Sequence, residues 1–185
     1  MDKSVLISIR PKWCGLIASG EKTIEVRKTR PKLETPFKCY IYCTAERAGY
    51  DALWVLDAPT REKYSFMAAS AYLENPNGAS KGNGKAIGEF TCERIVPITY
   101  DGGRLWCPTN AAFSPATCLS QAEIIAYIGD KGRCYGWHIS DLRIYDTPRD
   151  LGEFIGLRTM KNGFELRELD RPPQSWCYVL EDYHA

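Results

Sequence analysis

Ser8 to Lys28 reads SIRPKWCGLIASGEKTIEVRK, and this stretch decides the fold. Pro11 suits a first helical position, because its ring fixes φ near the helical value and its missing N–H is not needed there. Trp13, Leu16 and Ile17 fall at i, i+3 and i+4, one apolar stripe whose phase favours burial of Trp13 in the core. Gly20 has no Cβ, so it takes the left-handed conformation that ends a helix. From Thr23 to Lys28 the alternation sets Ile24 and Val26 inward and Thr23, Glu25 and Arg27 on the opposite face. The order is strand, short helix, turn, strand. Ser8, Arg10, Lys12, Trp13, Lys22, Glu25, Arg27 and Lys28 are thereby crowded into one short span.

Upstream, Val5 to Ile9 has Val5, Ile7 and Ile9 on one face and Leu6, Ser8 and Arg10 on the other, which suits a strand with one buried side. Downstream, Lys38 to Thr44 has the aromatic and β-branched content of a central strand. Ala45 to Leu56 and Thr60 to Leu73 read as helices, the second with Thr60 as N-cap, and Asn75 to Gly84 as a polar, glycine-rich mobile loop. Together they make a helical insertion at about 45–84 between two strands of one sheet. Lys85 to Ile98 is a long strand, with Pro97 at its end or at an edge. Thr99 to Leu119 carries no clear pattern. Ser120 and Glu123 form a capping box, with Leu119 and Ile124 as its hydrophobic staple, so a helix runs to about Ile128. In Cys134 to Tyr145 the apolar phase slips between Ile139 and Leu142, which predicts a bulge near Ser140 and Asp141. Thr147 and Pro148 open a short helix through Phe154, a polar stretch follows to Pro173, and Ser175 to Leu180 is the closing strand. Five or six strands with helices at the crossings predict an α+β chain, a small mixed barrel with peripheral helices, in a single domain over residues 1–185.

The totals limit what such a domain does. A chain of 185 residues, 44% of them apolar, buries one full core. The net charge of +1 excludes histone-like binding, so a polyanion must be held by a local patch. No apolar run is long enough to span a bilayer, and MDKSVLISIR lacks the pattern of a signal peptide, so a cytosolic protein without a membrane anchor is expected. The eight cysteines are scattered without a C-x-x-C, and neither His138 nor His184 has zinc-site spacing, so buried reduced thiols are expected and no metal or other cofactor.

Three structural readings stand beside functional ones. Lys22, Glu25 and Arg27 form either an ordinary ion pair on an exposed strand or a cationic groove with one carboxylate, suited to an anionic ligand with a hydrogen-bond donor, such as a nucleotide. Trp13 either anchors the helix or stacks on a base. His138 shares the second ambiguity: beside Gly136 it is either a satisfied structural residue or a ligand contact. No G-x-S-x-G elbow or P-loop is present.

Ser8-Ile9-Arg10-Pro11-Lys12-Trp13, followed by Gly20-x-Lys22-x-x-Glu25-x-Arg27, resembles the ASCH domain, a relative of the PUA domain. Gly88-Glu89-Phe90, Gly136-Trp137-His138-Ile139 and Pro172-Pro173-Gln174-Ser175-Trp176 are similar to the longer members found in bacteria and phages. The resemblance implies a PUA-like barrel whose cleft beside the first helix binds RNA or a modified nucleoside or nucleotide. Ser8, Arg10, Lys12, Trp13, Lys22, Glu25, Arg27, Lys28 and His138 would line that cleft. Some relatives hydrolyse N4-acetylcytidine with a lysine, a threonine and a glutamate; Lys22 falls on that lysine, and Glu25 stands where that threonine would be. Others are described as ribonucleases. On an enzyme, Lys22 and Glu25 would be the catalytic pair. A third reading is protein interaction through the insertion, by way of Trp54 and Phe66.

Overall fold

The computed structural model describes residues 3–45, 52–59, 79–109, 115–160 and 163–180. Among them run β1 (Lys3–Ile9), α1 (Pro11–Ala18), β2 (Ile24–Arg27), β3 (Phe37–Cys43), β4 (Trp54–Leu56), β5 (Ala79–Lys81), β6 (Ala86–Tyr100), β7 (Leu105–Trp106), α2 (Gln121–Ile128), β8 (Arg133–Arg149), β9 (Ile155–Met160), β10 (Gly163–Glu168) and β11 (Trp176–Leu180). The architecture is a sheet-dominated α+β fold with few helices.

The main sheet has the order β10-β9-β11-β1-β3-β6-β8-β2, with β7 paired to β6. β1 and β3 are parallel, joined through α1 and β2, and the remaining pairs are antiparallel. Three apolar layers clothe it. Val5, Ile7, Ile9, Cys14, Ile17, Ile41, Phe90 and Trp137 fill the main core. On the opposite side, Val26, Val96 and Ile98 lie under Ile124 and Ile128 of α2, and Leu6, Tyr40 and Val179 lie under Phe154 and Leu169. β1 is therefore buried on both faces, not on one as its alternation suggested; Leu6 is as inaccessible as Val5.

Among the described residues the sheet does not close into a barrel, because its strand path ends at β2 and at β10. The open seam between β2 and the β1–β11 pair is spanned by side chains instead. Arg27 Nη2 donates to the Ser8 carbonyl at 2.6 Å, Trp176 Nε1 to Thr29 Oγ1 at 3.0 Å, and the Lys32 amide to the Tyr178 hydroxyl at 2.7 Å. The β1–β11 ladder runs to Ile7 opposite Trp176, and beyond it the Ser8 N–H still donates to Ser175 O at 2.9 Å, while the Ser8 carbonyl on the same edge is taken by Arg27.

Local signals held where the chemistry was local. α1 ends before Gly20 at φ +79°, and α2 begins with both bonds of the Ser120–Glu123 capping box. Ser140 pairs with Thr91 and Arg143 with Glu89, so Asp141 and Leu142 together face Phe90, and Asp141 has φ +47°. That is the predicted bulge. β6 continues past Pro97 to Tyr100, and Pro97 sits at an edge because β3 extends only to the partner of Cys92.

Other expectations fail. Trp54–Leu56 is a strand, not the end of a helix, and pairs with Ala79–Lys81, which interrupts the expected glycine-rich loop. Residues 46–51 and the helix expected at 60–73, Phe66 included, lie outside the described residues. β8 runs to Arg149, and the only helical turn after it among the described residues is Leu151–Glu153, capped by Asp150 rather than Thr147. The polar stretch before Pro173 is the β9–β10 hairpin, missed because β10 is exposed along its whole length and has no inward alternation.

Where β6 crosses β8, a Cβ on Gly88 would lie 2.4 Å from the Arg143 carbonyl oxygen and 3.1 Å from Ile144 Cα. Both are backbone atoms, so the strands would have to separate. Gly88→Ala is expected to destabilise the fold by about 1–3 kcal/mol, read from the urea midpoint; an unchanged midpoint contradicts this packing.

Candidate functional site

Glu25 and Arg27 sit in β2 opposite Trp137 and Tyr135 of β8, so they lie on the sheet face of the main core, while Ile24 and Val26 face the layer under α2. Both faces of β2 are buried. The exposed Glu–Arg strand face therefore does not exist. Glu25 is 6% exposed, Arg27 9% and Lys22 2%.

These three side chains form one chain of charge. Lys22 Nζ lies 3.4 Å from Glu25 Oε2, and Glu25 Oε1 lies 3.0 Å from Arg27 Nε. The cations are also held by carbonyls: Lys22 Nζ donates to Ile24 O at 2.9 Å and to Thr117 O at 2.6 Å, and Arg27 reaches Ser8 O. Of the three N–H donors of the Lys22 ammonium, two are given to carbonyls, and Glu25 stands beside it as the ion-pair partner. Leu16 O receives the Lys22 backbone N–H, and Ala116 O that of Thr23, so the 115–117 turn is tied to the start of β2.

The remaining expected site residues scatter. Ser8 turns its hydroxyl to Pro173 O at 2.7 Å, so only its carbonyl belongs to the cluster. Arg10 is exposed and acts through its backbone as the N-cap of α1. Trp13 is half-buried against the main core, and its ring carries the Lys12 and Lys22 ammoniums at 4.7 and 5.3 Å. The buried stripe of α1 is Pro11, Cys14, Gly15 and Ile17, one position away from the stripe Trp13 suggested. Cys14, whose thiol donates to Ile9 O, has its pKa pushed well up by burial and by the Cys43 thiol beside it. Of the eight cysteines, all free, six are buried.

His138 is 9% exposed, with Nδ1 3.4 Å from Arg94 Nη2 and Nε2 buried without a partner. Burial, then the Arg94 charge, lowers its pKa from 6.5. The folded state thus binds its proton less readily than the unfolded chain. The stability this gives is complete above the unfolded value and is lost as pH falls through the folded one. Between neutral pH and pH 5, the urea midpoint of His138→Gln is expected to fall less than that of the unaltered protein; equal falls contradict this.

Lys28 leaves the cluster altogether. With Thr29, Arg30, Lys131, Arg133 and Tyr135 it lines an open groove of about 420 Å³ at the end of the β2–β8 pair. Four cations and one phenol face it, and no carboxylate does. The Arg30 guanidinium lies 6.0 Å from the Tyr135 ring, and Lys28 Nζ 5.1 Å from that of Tyr127. Arg30, Lys131, Arg133 and Tyr135 escaped the sequence reading. Two short basic runs a hundred residues apart carry no joint signal until the pairing of Arg27 with Tyr135 aligns them.

The strand–helix–strand start and the mixed sheet belong to an ASCH-like fold, as the likeness to solved structures shows. Three solved structures of an ASCH protein from Zymomonas mobilis are similar to this chain. The first is 17% identical over 97% of this chain and 88% of that one, with a TM-score of 0.51. A tyrosine-to-phenylalanine mutant gives 18%, 98%, 92% and 0.50, and a serine-to-alanine mutant 16%, 97%, 89% and 0.51. At that identity the likeness shows the fold alone. No family model and no curated protein matches the chain. Among the described residues no helix is long and apolar enough to cross a membrane.

Removing Lys22 strands two carbonyls and leaves Glu25 with Arg27 alone. Lys22→Met is expected to cost about 3 kcal/mol in urea unfolding, while Lys28→Met at the exposed groove stays within about 0.5 kcal/mol. Equal effects would show that the buried chain does not brace the fold.

Proposed function

We propose that this protein is an RNA- or nucleotide-binding module of the ASCH type, one of the longer bacterial or phage members, working in the cytoplasm on an anionic ligand. The observation that carries this is the groove of Lys28, Arg30, Lys131 and Arg133 around Tyr135. In a chain of net charge +1, four cations converging without a carboxylate concentrate positive potential at one place. Phosphate suits such a groove, since arginine presents a planar fork of donors and lysine a point charge. Tyr135 adds a flat ring on which a base can stack in place of Arg30.

In this reading the buried cluster is the brace. It fixes the edge strand from which Lys28 and Arg30 extend. A hydrolytic role for Lys22 and Glu25 would require a buried lysine, held by two carbonyls and by Glu25, to give up its proton and act as a base, which supports binding over turnover.

The test is anisotropy titration of a labelled single-stranded RNA across a series of salt concentrations. Affinity is expected to fall as salt rises, because phosphate contacts release counterions. Lys131→Gln with Arg133→Gln should weaken binding and lower the salt slope by about one unit per lost contact. Binding indifferent to salt, or unchanged in that double variant, overturns the proposal.

A further inference from the structure

β10 ends the sheet, and among the described residues nothing pairs with its outer edge. Its sequence is GFELRE, every residue exposed. Natural sheets blunt such edges, since a free row of N–H and C=O groups is a template for another strand. Here charges alternate with large apolar side chains. Phe164 is 57% exposed, Leu166 46%, and Met160, at the turn end of β9, 49%. Of the four exposed large hydrophobics among the described residues, three lie on this hairpin, so the apolar surface is concentrated at the edge.

We infer that β10 pairs antiparallel with β10 of a second copy, with the two-fold axis at Leu166. The register follows from the sequence. Along an antiparallel strand the backbone groups free on the outer side alternate, so a two-fold pairing matches residues of like parity. An axis at Glu165 sets Glu165 against itself, and one at Arg167 sets Arg167 against itself; like charges directly opposite destabilise. An axis at Leu166 sets leucine against leucine and places Glu165 of each copy opposite Arg167 of the other. Both charge pairs are then satisfied by one operation, which is how an isologous interface is built.

Two contacts within the chain also touch these residues. Glu165 stands opposite Arg158 in β9, and Arg167 lies 3.6 Å from the exposed Asp170. Neither occupies the outer edge, and an exposed pair of the second kind is worth little. One short strand from each copy buries little area, so the association is of the weak class and depends on concentration.

The test is sedimentation of the full chain over a range of concentrations. The unaltered protein is expected to shift from monomer to twice the monomer mass. Glu165→Arg sets two arginines opposite each other at both ends of the pairing, and Arg167→Glu sets two glutamates there, so each variant alone is expected to stay monomeric. An equimolar mixture of the two variants brings a pair of arginines from one chain against a pair of glutamates from the other and is expected to sediment as a dimer. Circular dichroism of each variant checks that it is folded. A chain that stays monomeric at every concentration overturns the inference. So do single variants that still dimerise, or a mixture that does not.

Discussion

One hydrogen bond, from the Arg27 guanidinium to the Ser8 carbonyl, joins edges of the sheet that no backbone ladder joins. At the end of β1 the Ser8 N–H still reaches the Ser175 carbonyl, but the Ser8 carbonyl takes its donor from Arg27 and not from the neighbouring strand. Left bare in the interior it would carry the cost of an unsatisfied acceptor. A guanidinium brought in to satisfy it imports a charge, and a buried charge needs a partner. Glu25 supplies the opposite sign, and Lys22 the next one. The sum over the three side chains is one positive charge, and its field falls on the carbonyls of Ser8, Ile24 and Thr117. Through Thr117 the chain also fixes the turn that leads into α2.

This arrangement separates the basic residues of the first 30 positions into two populations. Lys22 and Arg27 are engaged by the protein itself, Lys22 with two carbonyls and Glu25, and Arg27 with the Ser8 carbonyl and Glu25, although Arg27 Nε makes no hydrogen bond of good geometry. Lys28 and Arg30, immediately beyond, keep their charge at the surface and meet Lys131 and Arg133. The contacts of the second population are with the half-buried rings of Tyr127 and Tyr135, whereas the first is held by carbonyls and a carboxylate at short range. The same stretch of chain thus carries buried, paired charge inside and exposed positive charge outside.

The far end of the sheet has opposite needs. β1, β3 and β6 are covered on their faces by three apolar layers, but β9 and β10 extend past the main core and carry exposed leucine, methionine and phenylalanine. Lys3 lies over the Phe164 ring at 3.8 Å, which covers part of that surface with a charge and not with an apolar group.

The sequence by itself determined what depends on neighbours along the chain: the glycine stop of α1, the Ser120–Glu123 cap, the bulge at Asp141 and the β1, β3, β6 and β11 strands. Each is set by a backbone conformation or a side-chain reach of a few residues. It also placed Lys22, Glu25 and Arg27 in one cluster, because a turn and a strand hold them together. Tertiary structure decided which side of β2 is covered, since period-2 alternation names two faces but does not say what packs on either. It decided that β1 is central, that the β9–β10 hairpin lies at an edge, and that a groove forms where Arg30 meets Arg133. Those outcomes require strands distant in sequence to pair, and pairing is fixed by the burial of the whole sheet and not by any one segment.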